Sequence, residues 1–87
     1  MKVLIIDVRE PEEFAESHVK GAINLPPSEL MSGAKALQNI PKDTKLILYC
    51  RSGARSNASM NILASMGFNN MVNGINEGHV NKLLKRA

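Results

Sequence analysis

The stretch Cys50-Arg51-Ser52-Gly53-Ala54-Arg55-Ser56 sets the only cysteine of the chain among two arginines, two serines and a glycine. It follows a strand-like run, Lys45-Leu46-Ile47-Leu48-Tyr49, and leads into a helical pattern, so it is a loop between a strand and a helix. A tight loop of this kind turns several backbone N–H groups toward one centre, and the positive end of the following helix favours an anion there. Those N–H groups, Arg51 and Arg55 all favour thiolate over thiol, so Cys50 is expected to be more acidic than the ~8.5 of a free cysteine. A thiolate facing an anion cradle suits attack on an anionic or polarised substrate. Taken alone, a cysteine more often packs as a small apolar side chain. The flanks argue against that here, because a structural cysteine needs neither arginine, and this composition recruits anions and excludes water poorly.

Composition narrows the field further. The chain has 87 residues, 44% hydrophobic and 22% charged, which fits one domain over residues 1–87 with a single core. Residues 1–30 hold six of the eight acids, whereas residues 45–87 hold six of the eleven bases and only Glu77 as an acid. The second half is therefore expected to carry a positive field. Phe14, Tyr49 and Phe68 are the only aromatics, too few for the stacking surface of a nucleic-acid binder, so a small anion accounts for the charge bias better. The aliphatic runs are far shorter than the ~20 residues that span a bilayer. Met1-Lys2 leads into no signal-peptide core, because Asp7, Arg9 and Glu10 interrupt the apolar run. A cytoplasmic location is expected for the chain as written, or a periplasmic one for a mature form whose leader has been removed. One cysteine allows no internal disulfide, and one cysteine with two isolated histidines offers no metal-ligand spacing.

The elements that must position the loop follow from pattern. Val3-Leu4-Ile5-Ile6 suits a strand buried on both faces. Pro11 with Glu12, Glu13 and Glu16 marks a helix start, and Ala22-Ile23-Asn24-Leu25 is a second strand stopped by Pro26-Pro27. Leu30, Ala34 and Leu37 predict a second helix ending before Pro41, with Gly33 as its weak point. After the loop, a helix from Ala54 is predicted to bury Ala58, Ile62, Leu63 and Met66 and to end at Gly67. Asn70-Met71-Val72-Asn73 predicts the last strand, with Gly74 turning the chain into a closing helix. There Val80, Leu83 and Leu84 face inward, while Lys82, Lys85 and Arg86 face water. The order βαβαβαβα predicts an open parallel sheet of four to five strands with helices on both faces. In such sheets ligands bind beyond the carboxyl ends of the strands, where Cys50 falls.

Three segments carry a family resemblance: Asp7-Val8-Arg9-Glu10-Pro11-Glu12-Glu13-Phe14, His18-Val19-Lys20-Gly21-Ala22-Ile23-Asn24-Leu25-Pro26, and Tyr49-Cys50-Arg51-Ser52-Gly53-Ala54-Arg55-Ser56. In this order they closely resemble rhodanese domains, and the compact chain starting at its first strand looks most like the phage-shock-type single-domain thiosulfate sulfurtransferases. The resemblance implies an α/β rhodanese-like fold and a two-step reaction. The Cys50 thiolate takes a sulfane sulfur from thiosulfate, then passes it to a thiol such as thioredoxin or glutathione, or to cyanide. The backbone of Arg51, Ser52, Gly53, Ala54 and Arg55 would hold the persulfide, with the two arginines guiding the anion. Asp7, Arg9, His18 and Ser56 would give structural support. No cofactor, metal, nucleic acid or membrane partner is implied, and a monomer is expected. The family often has a Gly-Gly pair and a tryptophan where this chain has Asn73-Gly74-Ile75-Asn76-Glu77-Gly78, which leaves the preferred donor open.

Two other classes compete. Related cysteine phosphatases and arsenate reductases also set a cysteine and an arginine around an anion loop, but that loop is one residue longer than the four residues between Cys50 and Arg55. The smaller ring suits a single sulfur atom better than a phosphate. A rhodanese-like module serving only in binding or sulfide sensing is the other alternative, and retention of Cys50 with its cationic loop weighs against it.

Overall fold

The computed structural model describes residues 3–85. Strands β1 (Val3–Asp7), β2 (Ile23–Asn24), β3 (Lys45–Cys50) and β4 (Met71–Asn76) alternate with helices α1 (Pro11–Glu16), α2 (Pro27–Met31), α3 (Ala54–Ser65) and α4 (Glu77–Lys85). The strands pair in parallel in the order β2-β1-β3-β4, the open sheet that the alternating pattern predicts.

Alternation along the two central strands divides the core. Ile6, Leu46, Leu48 and Cys50 point to one face, where Leu30 of α2, Leu63 of α3 and Phe68 complete a buried cluster. Ile5, Ile47 and Tyr49 point to the other, against Val19 and Val80 of α4. Helices therefore cover both faces, and β1 and β3, buried on both sides, need the nearly unbroken aliphatic runs they have.

Four local expectations are corrected. The second helix is not continuous: α2 stops after one turn, Gly33 and Ala34 take left-handed φ values of 106° and 49°, and a short 3-10 turn follows at Lys35–Leu37. The break costs no burial, since Leu30, Ala34 and Leu37 all remain inside. In α3 the buried residues are Ser56, Ser59 and Leu63, whereas Ala58 is exposed. The hydroxyls turn inward because the loop and helix supply them with partners, and Ser59 Oγ donates to the Arg55 carbonyl at 2.9 Å. Leu84 is exposed while Val80 and part of Leu83 face the sheet; Lys82 and Lys85 are exposed as expected, and Arg86 lies outside the described residues.

The fourth correction concerns Gly74, which does not end the strand but lies inside β4 at an irregularity opposite Leu48 and Tyr49. A Cβ there would stand 2.5 Å from Val80 Cγ2, 2.9 Å from Ile47 Cγ2 and 3.1 Å from the Leu48 carbonyl oxygen. Glycine is required by close approach of α4 to the sheet. Gly74→Ala is expected to cost about 1–3 kcal/mol through overpacking of this buried contact. The urea midpoint should fall accordingly, and an unchanged midpoint would mean that α4 yields freely.

Candidate active site

Cys50 is the last residue of β3, and strand alternation places its side chain under the first turn of α3, 2% exposed. Gly53, immediately before α3, has φ of 94°, a left-handed conformation that glycine adopts without a Cβ penalty. That turn carries the chain back over the sulfur, so the Gly53 N–H donates to Cys50 Sγ at 3.1 Å, and Ser56 Oγ lies 3.6 Å from the same atom. Burial alone pushes the thiol up. The Ser56 hydroxyl and the backbone N–H groups of Ser56, Ser52 and Gly53 more than offset it, and the thiol is brought down to about 7. Near neutral pH such a thiol is about half thiolate. Ser52 and Ala54 are exposed and contribute backbone only: Ser52 gives its N–H to the sulfur and Ala54 opens the helix.

Arg51 and Arg55 are not free cations. Both grip one carboxylate, Glu13 of α1: Arg51 Nε donates to Glu13 Oε2 at 2.6 Å, and Arg55 donates to Oε1 at 2.8 Å and to Oε2 at 3.2 Å. The Glu10 N–H adds a further bond to Oε1 at 3.1 Å. Arg55 first, then Arg51 and the Glu10 N–H, hold the Glu13 carboxyl well below the usual carboxylate range, and Glu13 in turn raises Arg55. The positive field expected of the second half is thus partly neutralised where it matters. The fall of the Cys50 pKa comes chiefly from the hydroxyl and the amides rather than from the guanidinium groups.

Two residues that the sequence reading left out of the site belong to this cluster. Glu13 reads locally as a first-turn acid suited to a helix dipole, and its second role depends on the sheet bringing α1 beside α3. Asn73 of β4 reads as a strand terminus. It donates from Nδ2 to the Gly53 carbonyl at 3.0 Å, while its Oδ1 accepts from Ser56 Oγ at 2.6 Å and from the Ile75 N–H at 2.9 Å. Ile75 takes a left-handed φ of 70° just after it.

Asp7, Arg9 and His18 lie apart from the thiol. Asp7 is fully buried on the opposite face of the sheet, paired in register with Tyr49. Its carboxylate accepts from Arg9 Nη2 at 2.7 Å, from the Arg9 side-chain Nε and backbone N–H at 2.9 Å, and from the Tyr49 hydroxyl at 2.9 Å. The Tyr49 oxygen accepts from the Val19 N–H at 3.0 Å, and burial raises this phenol to about 12. Arg9 also donates to the Ser17 carbonyl at 2.7 Å. This buried network joins β1, β3 and the turn after α1. His18 is exposed, stacks on Phe14 at 3.7 Å between ring centroids, and donates from Nδ1 to the Phe14 carbonyl at 2.7 Å. Among the described residues no group of His, Cys, Asp and Glu could hold a metal ion, and no helix is long and apolar enough to cross a membrane.

Comparison with known proteins gives the same outline. The thiosulfate sulfurtransferase PspE of Escherichia coli is 37% identical over 68 residues, covering 78% of this chain and 64% of its own. A probable adenylyltransferase/sulfurtransferase, MoeZ of Mycobacterium tuberculosis, is 35% identical over 71 residues, 82% of this chain but only 18% of the larger protein. The chain thus spans less than two thirds of the length of these curated relatives. Among solved structures, an E. coli rhodanese with anions superposes with a TM-score of 0.79 at 32% identity, covering 90% of this chain and 91% of its own. With the sequence model of the rhodanese-like domain matching residues 1–81, and the parallel sheet carrying its cysteine loop at the carboxyl edge, this chain belongs to the rhodanese-like family.

Proposed function

We propose that residues 1–87 act as one sulfurtransferase domain in which Cys50 carries the sulfur. The observation that carries this reading is the buried thiol capped by the Gly53 N–H at 3.1 Å and by Ser56. In the first step the Cys50 thiolate attacks the sulfane sulfur of thiosulfate. A new S–S bond forms, the old one breaks, and sulfite leaves with the electron pair. The persulfide anion is held by the backbone N–H groups of residues 51–55 and by Ser56. In the second step an acceptor thiolate, from thioredoxin or glutathione, or else cyanide, takes the terminal sulfur and returns the Cys50 thiolate. Residues 1–87 hold one cysteine, so the accepting thiol comes from outside them, and double-displacement kinetics follow. The relatives named for sulfurtransferase activity and the similar rhodanese described with anions support this reading. Thiosulfate should add about 32 Da, one sulfur atom, to the intact mass, and a thiol acceptor should remove it. A chain that gains no mass at Cys50 would instead be a rhodanese-like binding or sulfide-sensing module.

Glu13 enters the same reading as a competitor. An incoming anion that uses Arg51 and Arg55 must displace a carboxylate already bound to both. The Arg51 side chain is 68% exposed and that of Arg55 36%, so each pair is screened and individually weak. Glu13→Gln is expected to lower KM for thiosulfate about three- to tenfold with a smaller change in kcat, because it frees the cations for ground-state binding. Steady-state kinetics at fixed ionic strength would read this, and a KM that rises would assign Glu13 to holding the loop in shape instead.

A further inference from the structure

Ser56 Oγ lies 2.6 Å from Asn73 Oδ1, 3.1 Å from the Gly53 carbonyl oxygen and 3.6 Å from Cys50 Sγ. A hydroxyl has one proton to give. The Gly53 carbonyl has two lone pairs and other donors for both: the Asn57 N–H at 2.9 Å and Asn73 Nδ2 at 3.0 Å. The Asn73 amide is oriented from both ends, since the Gly53 carbonyl can only accept and the Ile75 N–H, 2.9 Å from Oδ1, can only donate. Ser56 therefore gives its proton to Asn73 Oδ1 and turns a lone pair toward the sulfur. That arrangement receives the S–H of a thiol. A thiolate or persulfide anion needs the reverse, with the hydroxyl proton aimed at sulfur.

We propose that Asn73 is a positioning residue for Cys50 that acts through Ser56, holding the Ser56 proton while the sulfur is protonated and releasing it when the sulfur becomes an anion. The inference rests on Cys50 being the reacting sulfur, but its test reads thiol ionisation and needs no sulfur donor, so the two can fail separately. Drawing the proton away from Asn73 opposes ionisation, so Asn73 keeps the thiol less acidic than an unengaged Ser56 would. The charged groups near the thiol are Arg55 of α3, whose charge couples to Cys50, with Arg51 of the loop and Glu13 of α1 bonded in the same cluster. Strand β4 brings only uncharged side chains. None of these is altered by the substitutions that follow.

The experiment is the pH profile of Cys50 alkylation by iodoacetamide. Asn73→Ala should move the midpoint down by about half a unit to one unit, a gain of about three- to tenfold in thiol acidity. Ser56→Ala should move it up, because the anion loses its hydroxyl donor. The double variant should match Ser56→Ala alone, since Asn73 then has nothing to act through. Asn73→Leu, which keeps the branched outline of four side-chain heavy atoms and removes both polar atoms, should repeat the Asn73→Ala result. A midpoint that stays or rises in Asn73→Ala overturns the proposal, as does an equal downward shift with Ser56 absent. If both Asn73 variants unfold by circular dichroism, the residue is structural and the proposal falls.

Discussion

Replacing Cys50 with serine is expected to remove sulfur transfer, with a rate loss on the order of a thousandfold or more, the scale seen when a covalent nucleophile is deleted. The serine hydroxyl stays protonated where the thiol, brought to about 7, is half ionised, and oxygen cannot carry the sulfane sulfur as a persulfide. The fold should survive. Serine is slightly smaller than cysteine, and its hydroxyl finds the Gly53 N–H and Ser56 already pointed at it. The matching measurement on the unmodified protein is the pH dependence of the first step. The sign follows from the anion being the reactive form: the rate should climb about tenfold between about pH 6 and about pH 8 and level off above. A Cys50→Ser chain that still turns over thiosulfate at an undiminished rate, or still gains the mass of a sulfur atom, would end the assignment.

Asp7→Ala should give the largest loss of stability. The carboxylate is fully buried, and among the described residues its removal leaves the Arg9 guanidinium, 7% exposed, with the Ser17 carbonyl, the Tyr49 ring at 5.5 Å and a distant Glu77 at 4.0 Å. It also leaves the Tyr49 hydroxyl without its acceptor. Breaking one side of a buried ion pair costs about 3–5 kcal/mol, a large share of the ~5–15 kcal/mol that holds a domain together. A fall in Tm of roughly 12–40 °C is therefore expected, at about 4–8 °C per kcal/mol for a domain of this size. Replacing both partners, as in Asp7→Leu with Arg9→Met, should recover a substantial part, because no orphaned charge then remains. A single variant that melts within a few degrees of the parent would show that water reaches the site.

Much of this architecture is written locally. Strand β3, the loop and α3 are contiguous, so aliphatic alternation, a glycine and a helical pattern place the thiol and its amide donors without knowledge of the rest. Glu13 and Asn73 escape local reading because they reach the site across the fold, Glu13 at a separation of 38 residues from Arg51 and Asn73 at 17 from Ser56. Their neighbours in sequence give each an adequate ordinary role. The second helix fails for a different reason: Leu30, Ala34 and Leu37 are all buried as helical spacing requires, but a turn through two left-handed residues buries them equally well. Gly74 looks like punctuation from sequence, and only the proximity of Val80 and Ile47 reveals it as a packing residue.

Tyr49 and Cys50 are adjacent in the chain yet belong to opposite faces of the sheet, one in the Asp7–Arg9 network and the other under α3. The strand itself separates the polar network that ties β1 and β3 to the turn after α1 from the sulfur and its donors, which share their face with the larger apolar core. Substitutions in the Asp7–Arg9–Tyr49 network are therefore expected to move the melting point more than the acidity of the thiol, which is set by Gly53 and Ser56 on the other face. Melting point and thiol acidity, measured on the same variants, should therefore respond to different sets of residues although the two sets meet at one peptide bond between Tyr49 and Cys50.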